Sequence, residues 1–146
     1  MKKQVWRISI VIIIVIIGVS VWFVKQIPKI NGKPVYDVTI SDPQGKNVVV
    51  HWLPNSNKNF INTLSRALDL QQKLEPINQN PANYWIHTRF KDGNDADFLL
   101  WLEKNQPASF VSAFRGRDGI MTYGGIQSSY RIPDTIRNEL YDLIKK

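Results

Sequence analysis

Chemistry-bearing side chains are scarce in this chain, and their spacing suits no single reaction. There are two histidines, His51 and His87, and no cysteine. The histidines fall in separate apolar segments without a metal-ligand spacing, so no metal site is expected of them. Asp92, Asn94, Asp95 and Asp97 resemble part of a calcium loop, but that loop wants Gly at its sixth position and a later bidentate Glu. Here Gly93 is second and Asp97 sixth, which reads as a hairpin turn. Arg115 and Arg117 among glycines could cradle an anion, although an ordinary solvated turn explains them as well. No Gly-x-Ser-x-Gly elbow or Ser-x-x-Lys motif activates a serine, and no carboxylate pair can be assigned to glycoside chemistry. No catalytic residue, metal or cofactor is therefore expected.

Trp85, His87, Leu99 and Trp101 form the most informative set. Tyr84 to Phe90 alternates, with Tyr84, Ile86, Thr88 and Phe90 on one face and Trp85, His87 and Arg89 on the other. Asp97 to Leu102 returns after Asp92-Gly93-Asn94. If Lys91 faces Asp95, Trp85 meets Trp101, His87 meets Leu99 and Arg89 meets Asp97, which satisfies apolar pattern and charge together. Should helices cover the Ile86–Leu100 face, the indoles lie opposite, either as an exposed contact surface or as a second cluster beneath a hairpin or loop.

The elements around this hairpin read as α+β. Val35 to Ser41 and Asn47 to Leu53 are strands joined by Asp42-Pro43-Gln44-Gly45, and Val48-Val49-Val50 suggests burial on both sides. Asn59 to Leu74 has helical spacing in Phe60, Ile61, Leu64, Ala67 and Leu68, with Asn57 or Asn59 as cap. Ser109 to Phe114 is a strand, Ile120 to Tyr123 and Ser128 to Arg131 are short candidates, and Pro133 or Asp134 opens a last helix through Ile144. The order β-β-α-β-β-β-(β)-α predicts a mostly antiparallel sheet with two helices on one face.

A different kind of segment precedes this domain. Ile8 to Val24 is seventeen residues without a charge, flanked by Lys2, Lys3 and Arg7 and by Lys25, Lys29 and Lys33. As a helix it spans about 25 Å against a hydrocarbon core of about 30 Å, and Val5 and Trp6 extend it by a turn if Arg7 snorkels. Trp6 and Trp22 suit the two interfaces. Gly18 and Ser20 could serve as small residues before a signal-peptide cut, but that cut would leave an apolar Val-Trp-Phe-Val terminus, which favours an uncleaved anchor. Residues 1–24 thus read as tail and transmembrane helix, 25–34 as linker, and 35–146 as one extracytoplasmic domain. A short tail before a long folded segment resembles a signal-anchor, with the domain outside the cytoplasm.

The net charge of +7 does not indicate nucleic acid. Residues 1–30 hold five basic residues and no acid, so most of the excess belongs to the anchor and its flanks. Without cysteine there is no disulfide and no lipidation site.

The segments NPANYWIHTRF, FLLWLEKN and YRIPDTIRNELYDLIKK resemble the second half of small exported proteins of bacilli, the YhfM-like domains and the short anchored YfmQ-like proteins. These share a Tyr-centred strand, a strand ending in a Trp-Leu or Trp-Ile pair, and a short strand leading into a C-terminal helix. The likeness spans roughly residues 35–146. It implies an exported α+β domain and carries no established activity. Lipobox-bearing relatives have a cysteine that this chain lacks.

The functional expectation is a membrane-anchored, non-enzymatic interaction module of the bacterial envelope that meets an envelope protein or ligand through Trp85, His87, Leu99 and Trp101. The alternatives are an envelope enzyme acting on cell-wall or lipid material, and a small-ligand sensor working through a membrane partner, which would need a closed apolar pocket.

Overall fold

A computed structural model describes residues 27–53, 56–115, 121–122 and 125–145, with the side chains of 115, 121 and 122 excepted. The expected anchor and the expected turn residues 116–119, with Arg117, lie outside them. Among the described residues no helix is long and apolar enough to cross a membrane.

The chain is α+β: a curled antiparallel sheet with two helices. Its strands are β1 (Lys29–Ile30), β2 (Lys33–Ser41), β3 (Val48–Trp52), β4 (Leu74–Pro76), β5 (Tyr84–Phe90), β6 (Asp95–Trp101), β7 (Ala108–Arg115), β8 (Met121–Thr122) and β9 (Ser128–Ile132). The helices are α1 (Lys58–Ala67) and α2 (Asp134–Ile144). The sheet runs β1-β2-β5-β6-β7-β9-β4, with β3 beside β1 on the outer edge of β2 and β8 beside β9 on β7.

Both helices cover one face. Phe60, Ile61, Leu64, Ala67 and Leu68 of the α1 segment, with Ile136, Leu140 and Ile144 of α2, close over Val38, Ile40, Ile86, Phe98, Leu100 and Phe110. Burying each large side chain contributes roughly 1.5–3 kcal/mol. Asn57 caps α1 by accepting from Asn59 N at 3.0 Å. The helices are tied through Glu139, which accepts from Thr63 Oγ1 and, at 3.2 Å, from Arg66.

Four local expectations need correction. The segment expected as linker, residues 25–34, includes β1, the start of β2 and the wholly buried Ile30. The reason is Asn31-Gly32, whose φ angles of 49° and 80° suit a two-residue hairpin turn. The expected helix Asn59–Leu74 stops at Ala67, because Asn31 donates Nδ2 to Leu68 O at 2.9 Å and accepts from Leu70 N. The chain then turns, and Leu74–Pro76 pairs with β9. Val48 and Val49 are exposed rather than buried on both sides, since β3 is an edge strand.

The fourth correction concerns register. Trp85 lies opposite Leu99, His87 opposite Asp97 and Arg89 opposite Asp95, two residues from the expected pairing. The loop is Lys91-Asp92-Gly93: Phe90 N donates to Asn94 O at 2.8 Å, and Gly93 takes φ 85°. A three-residue loop of this kind places its left-handed residue last. The shift is even, so every side chain keeps its expected face.

Candidate interaction face

The face of the sheet away from the helices holds all four candidate residues. Leu99 and Trp101 are buried, at 6% and 4% exposure, with Val111. Ile77 and Ala82, in the loop between β4 and β5, pack onto them together with Trp85 and Ala113. Trp101 donates Nε1 to Asn80 O at 2.7 Å. These two side chains are thus beneath a loop, while Trp85 and His87 are partly exposed.

Trp85 is covered from the other side by the β2–β3 turn. A Cβ added at Gly45 would lie 2.2 Å from Trp85 Cζ3, and Gly45 has φ 71°, so only glycine fits here. Asp42 builds that turn by accepting from Lys46 N at 2.8 Å and from Asn47 Nδ2 at 2.6 Å. Burial pushes the Asp42 carboxyl up, but these hydrogen bonds outweigh it and hold the carboxyl below its ordinary value of 3.8.

A polar row crosses the same face. His51, Thr39, His87 and Asp97 are successive cross-strand neighbours on β3, β2, β5 and β6. His51 Nδ1 and Thr39 Oγ1 share a hydrogen bond of 2.9 Å. Asp97 Oδ1 accepts from His87 Nδ1 and from Trp85 Nε1, both at 2.8 Å. One carboxylate therefore fixes an imidazole and an indole together, leaving His87 Nε2 as the ring's other polar atom. Beside the row, Arg89 holds the buried carboxylate of Asp37 through Nε, at 3.0 Å to each oxygen, and through Nη2. The Arg89 side chain is 56% exposed and lies 5.4 Å from the centre of the Tyr36 ring.

From sequence, Asp97 is expected opposite Arg89 rather than as the partner of His87, and neither Asp37 nor Gly45 is assigned to this face. The His87–Asp97 pairing could have been found from the hairpin rule, because Gly93 as third loop residue sets the two opposite each other. No local signal marks Asp37 as the partner of a residue 52 positions away.

The carboxylates of the suspected calcium loop point to separate tasks. Asp92 accepts from Asn94 N and Nδ2, and these bonds, the side-chain one foremost, lower its pKa, whereas Asp97 serves His87 and Trp85. No group of three potential metal ligands occurs among the described residues. Two open clefts lie outside the polar row. One of about 540 Å³ runs along Lys29, Asn31, Ser65, Arg66 and Asp69. The other, about 290 Å³, is lined by Asn78, Asn80, Asn83, Trp101, Glu103 and Gln106. Neither contains a histidine.

Comparison with protein families, with curated proteins and with solved structures finds no match to this chain.

Proposed function

We propose that this chain is a membrane-tethered, extracytoplasmic interaction module of the bacterial envelope, of the kind its likeness to the YhfM-like and YfmQ-like proteins suggests. The uncharged run Ile8–Val24 with lysines on both sides carries the location. The polar row carries the contact. Trp85, His87 and Arg89 present an indole, an imidazole and a guanidinium, each held by a carboxylate, and such preset aromatic and cationic groups favour recognition. Leu99 and Trp101 support that surface from beneath rather than meeting a partner themselves.

Photo-crosslinking in cells tests the proposal, with a photoreactive residue replacing His87 or Arg89. Trp101 is a poor position because its ring is buried and hydrogen-bonded to Asn80. One recurrent partner from both positions supports the module. Absence of any crosslink, with the variants folded and in the membrane, refutes a partner on this face.

The enzymatic alternative draws support from one observation, the His87–Asp97 pair, which has the form of a base and its orienting carboxylate. No hydroxyl nucleophile is hydrogen-bonded to His87 among the described contacts, and Asp97 is shared with Trp85. Hydrolysis of cell-wall or lipid material that is lost in Asp97→Asn would establish this reading over the first.

A further inference from the structure

Both β1 and β3 lie on the outer edge of β2. Pro28 O accepts from Val35 N at 2.9 Å, and Trp52 at the end of β3 faces Val38. The described chain thus begins on this edge, with Pro28 between the two strands. Only Lys25, Gln26 and Ile27 separate Val24 from Pro28, a reach of at most about 14 Å.

The same edge carries exposed apolar side chains and few acids, Asp42 in the β2–β3 turn and Asp69 beside Lys29. Val48, Val49 and Leu53 are 60%, 46% and 49% exposed. From Pro43 through Leu68 there is no Asp or Glu, while Lys46, Lys58 and Arg66 fall within that stretch. Asp37 and Asp42 are the only acids before Asp69, and Asp37 is matched by Arg89. The whole excess of positive charge therefore resides in residues 1–68; residues 69–146 carry ten acids and ten basic residues. The opposite edge, β4, is three residues long and carries Glu75 and Pro76, both of which discourage strand addition.

We propose that the β1/β3 edge rests on the surface of the anionic bilayer that holds the anchor. This rests on the anchor reading above. The short tether brings the edge to the headgroups, Lys29 and Lys46 meet lipid phosphates, and Val48, Val49 and Leu53 enter the interfacial layer. Outward N–H groups of β3 can donate to phosphate oxygens. The sheet then stands edge-on, and the face bearing Trp85, His87 and Arg89 looks along the membrane toward a neighbouring protein.

The absence of cysteine permits a direct test. Val49→Cys, Leu53→Cys and, on the far edge, Leu74→Cys are each labelled with an environment-sensitive fluorophore. The full chain is reconstituted into phosphatidylglycerol–phosphatidylcholine vesicles containing a lipid quencher at headgroup depth. Labels at 49 and 53 are expected to be quenched several-fold more than the label at 74, with the difference reduced by Lys46→Glu. Equal quenching at all three positions, in chain that resists alkaline extraction, overturns the edge contact and leaves the anchor intact. Labels at 49 and 53 shielded from aqueous iodide yet untouched by the lipid quencher overturn it in favour of a protein contact. Release of the chain by alkaline extraction overturns the anchor reading and this inference with it.

Discussion

On the helix-covered face, Ile86, Phe98, Leu100 and Phe110 meet mainly apolar side chains from α1 and α2, the buried Thr63 of α1 being hydrogen-bonded to Glu139 of α2. On the other face, Leu99, Trp101 and Val111 meet the loop carrying Ile77 and Ala82, and both indoles need an acceptor, Asn80 O for Trp101 and Asp97 for Trp85. A helix satisfies its own backbone and can offer a purely apolar stripe. A loop brings unpaired carbonyls with it, so the sheet beneath must use residues that are both large and hydrogen-bonding. The second face thereby gains defined polar geometry and loses depth of core.

Stability measurements on the full chain in detergent, by urea unfolding, can break this contrast. Phe110→Ala should cost the most, about 4 kcal/mol, since its ring is wholly buried between Phe98 and Tyr130. Trp101→Ala should cost about 3 kcal/mol, because the smaller cluster loses its largest side chain and Asn80 O its donor. If Trp101→Ala proves the costlier of the two, the loop-covered face is the main core and the comparison is inverted.

Gly45→Ala should cost about 2 kcal/mol, from the positive φ and the collision with Trp85, and should shift tryptophan emission to the red as that indole is displaced. Unchanged emission would mean that the turn does not press on Trp85. Asp97→Ala removes the acceptor for two donors at once and should cost about 1.5 kcal/mol. A neutral result would show that His87 and Trp85 are oriented without it.

The smallest effect should come from acid. Asp42 and Asp92 have lowered pKa values in the fold, so the stability they supply is complete above the unfolded carboxylate value of about 3.9 and is lost as pH falls through their folded values. Urea midpoints should thus be insensitive to these two groups near neutrality and decline below about pH 4. Replacing both by Asn should flatten that decline.

The alternation of Tyr84 to Phe90 was sufficient to assign every side chain of the hairpin to its face, because a strand has period two. Register was harder, since any even slip preserves the faces and only the loop conformation distinguishes Asp97 from Leu99 as the partner of His87. At β1, prolines and lysines on either side of Asn31-Gly32 conceal a strong hairpin signal, and Ile30 is a single apolar residue with no period around it. The end of α1 depends on Asn31, a contact across 37 residues that no local propensity encodes. The exposure of Val48 and Val49 depends on β3 having one neighbour, which is a property of strand order.

Asn31 also gives the domain a mechanical weak point. In a tethered chain, any drag on the domain is transmitted through Pro28 into β1, which pairs with β2 over only two residues. Peeling β1 would draw Ile30 from the core and break both Asn31 bonds to the end of α1. Load applied at the tether would therefore be felt by α1 before it reached β5 or β6. The hairpin around Asn31-Gly32 would act as a fuse, yielding while the rest of the sheet keeps its shape.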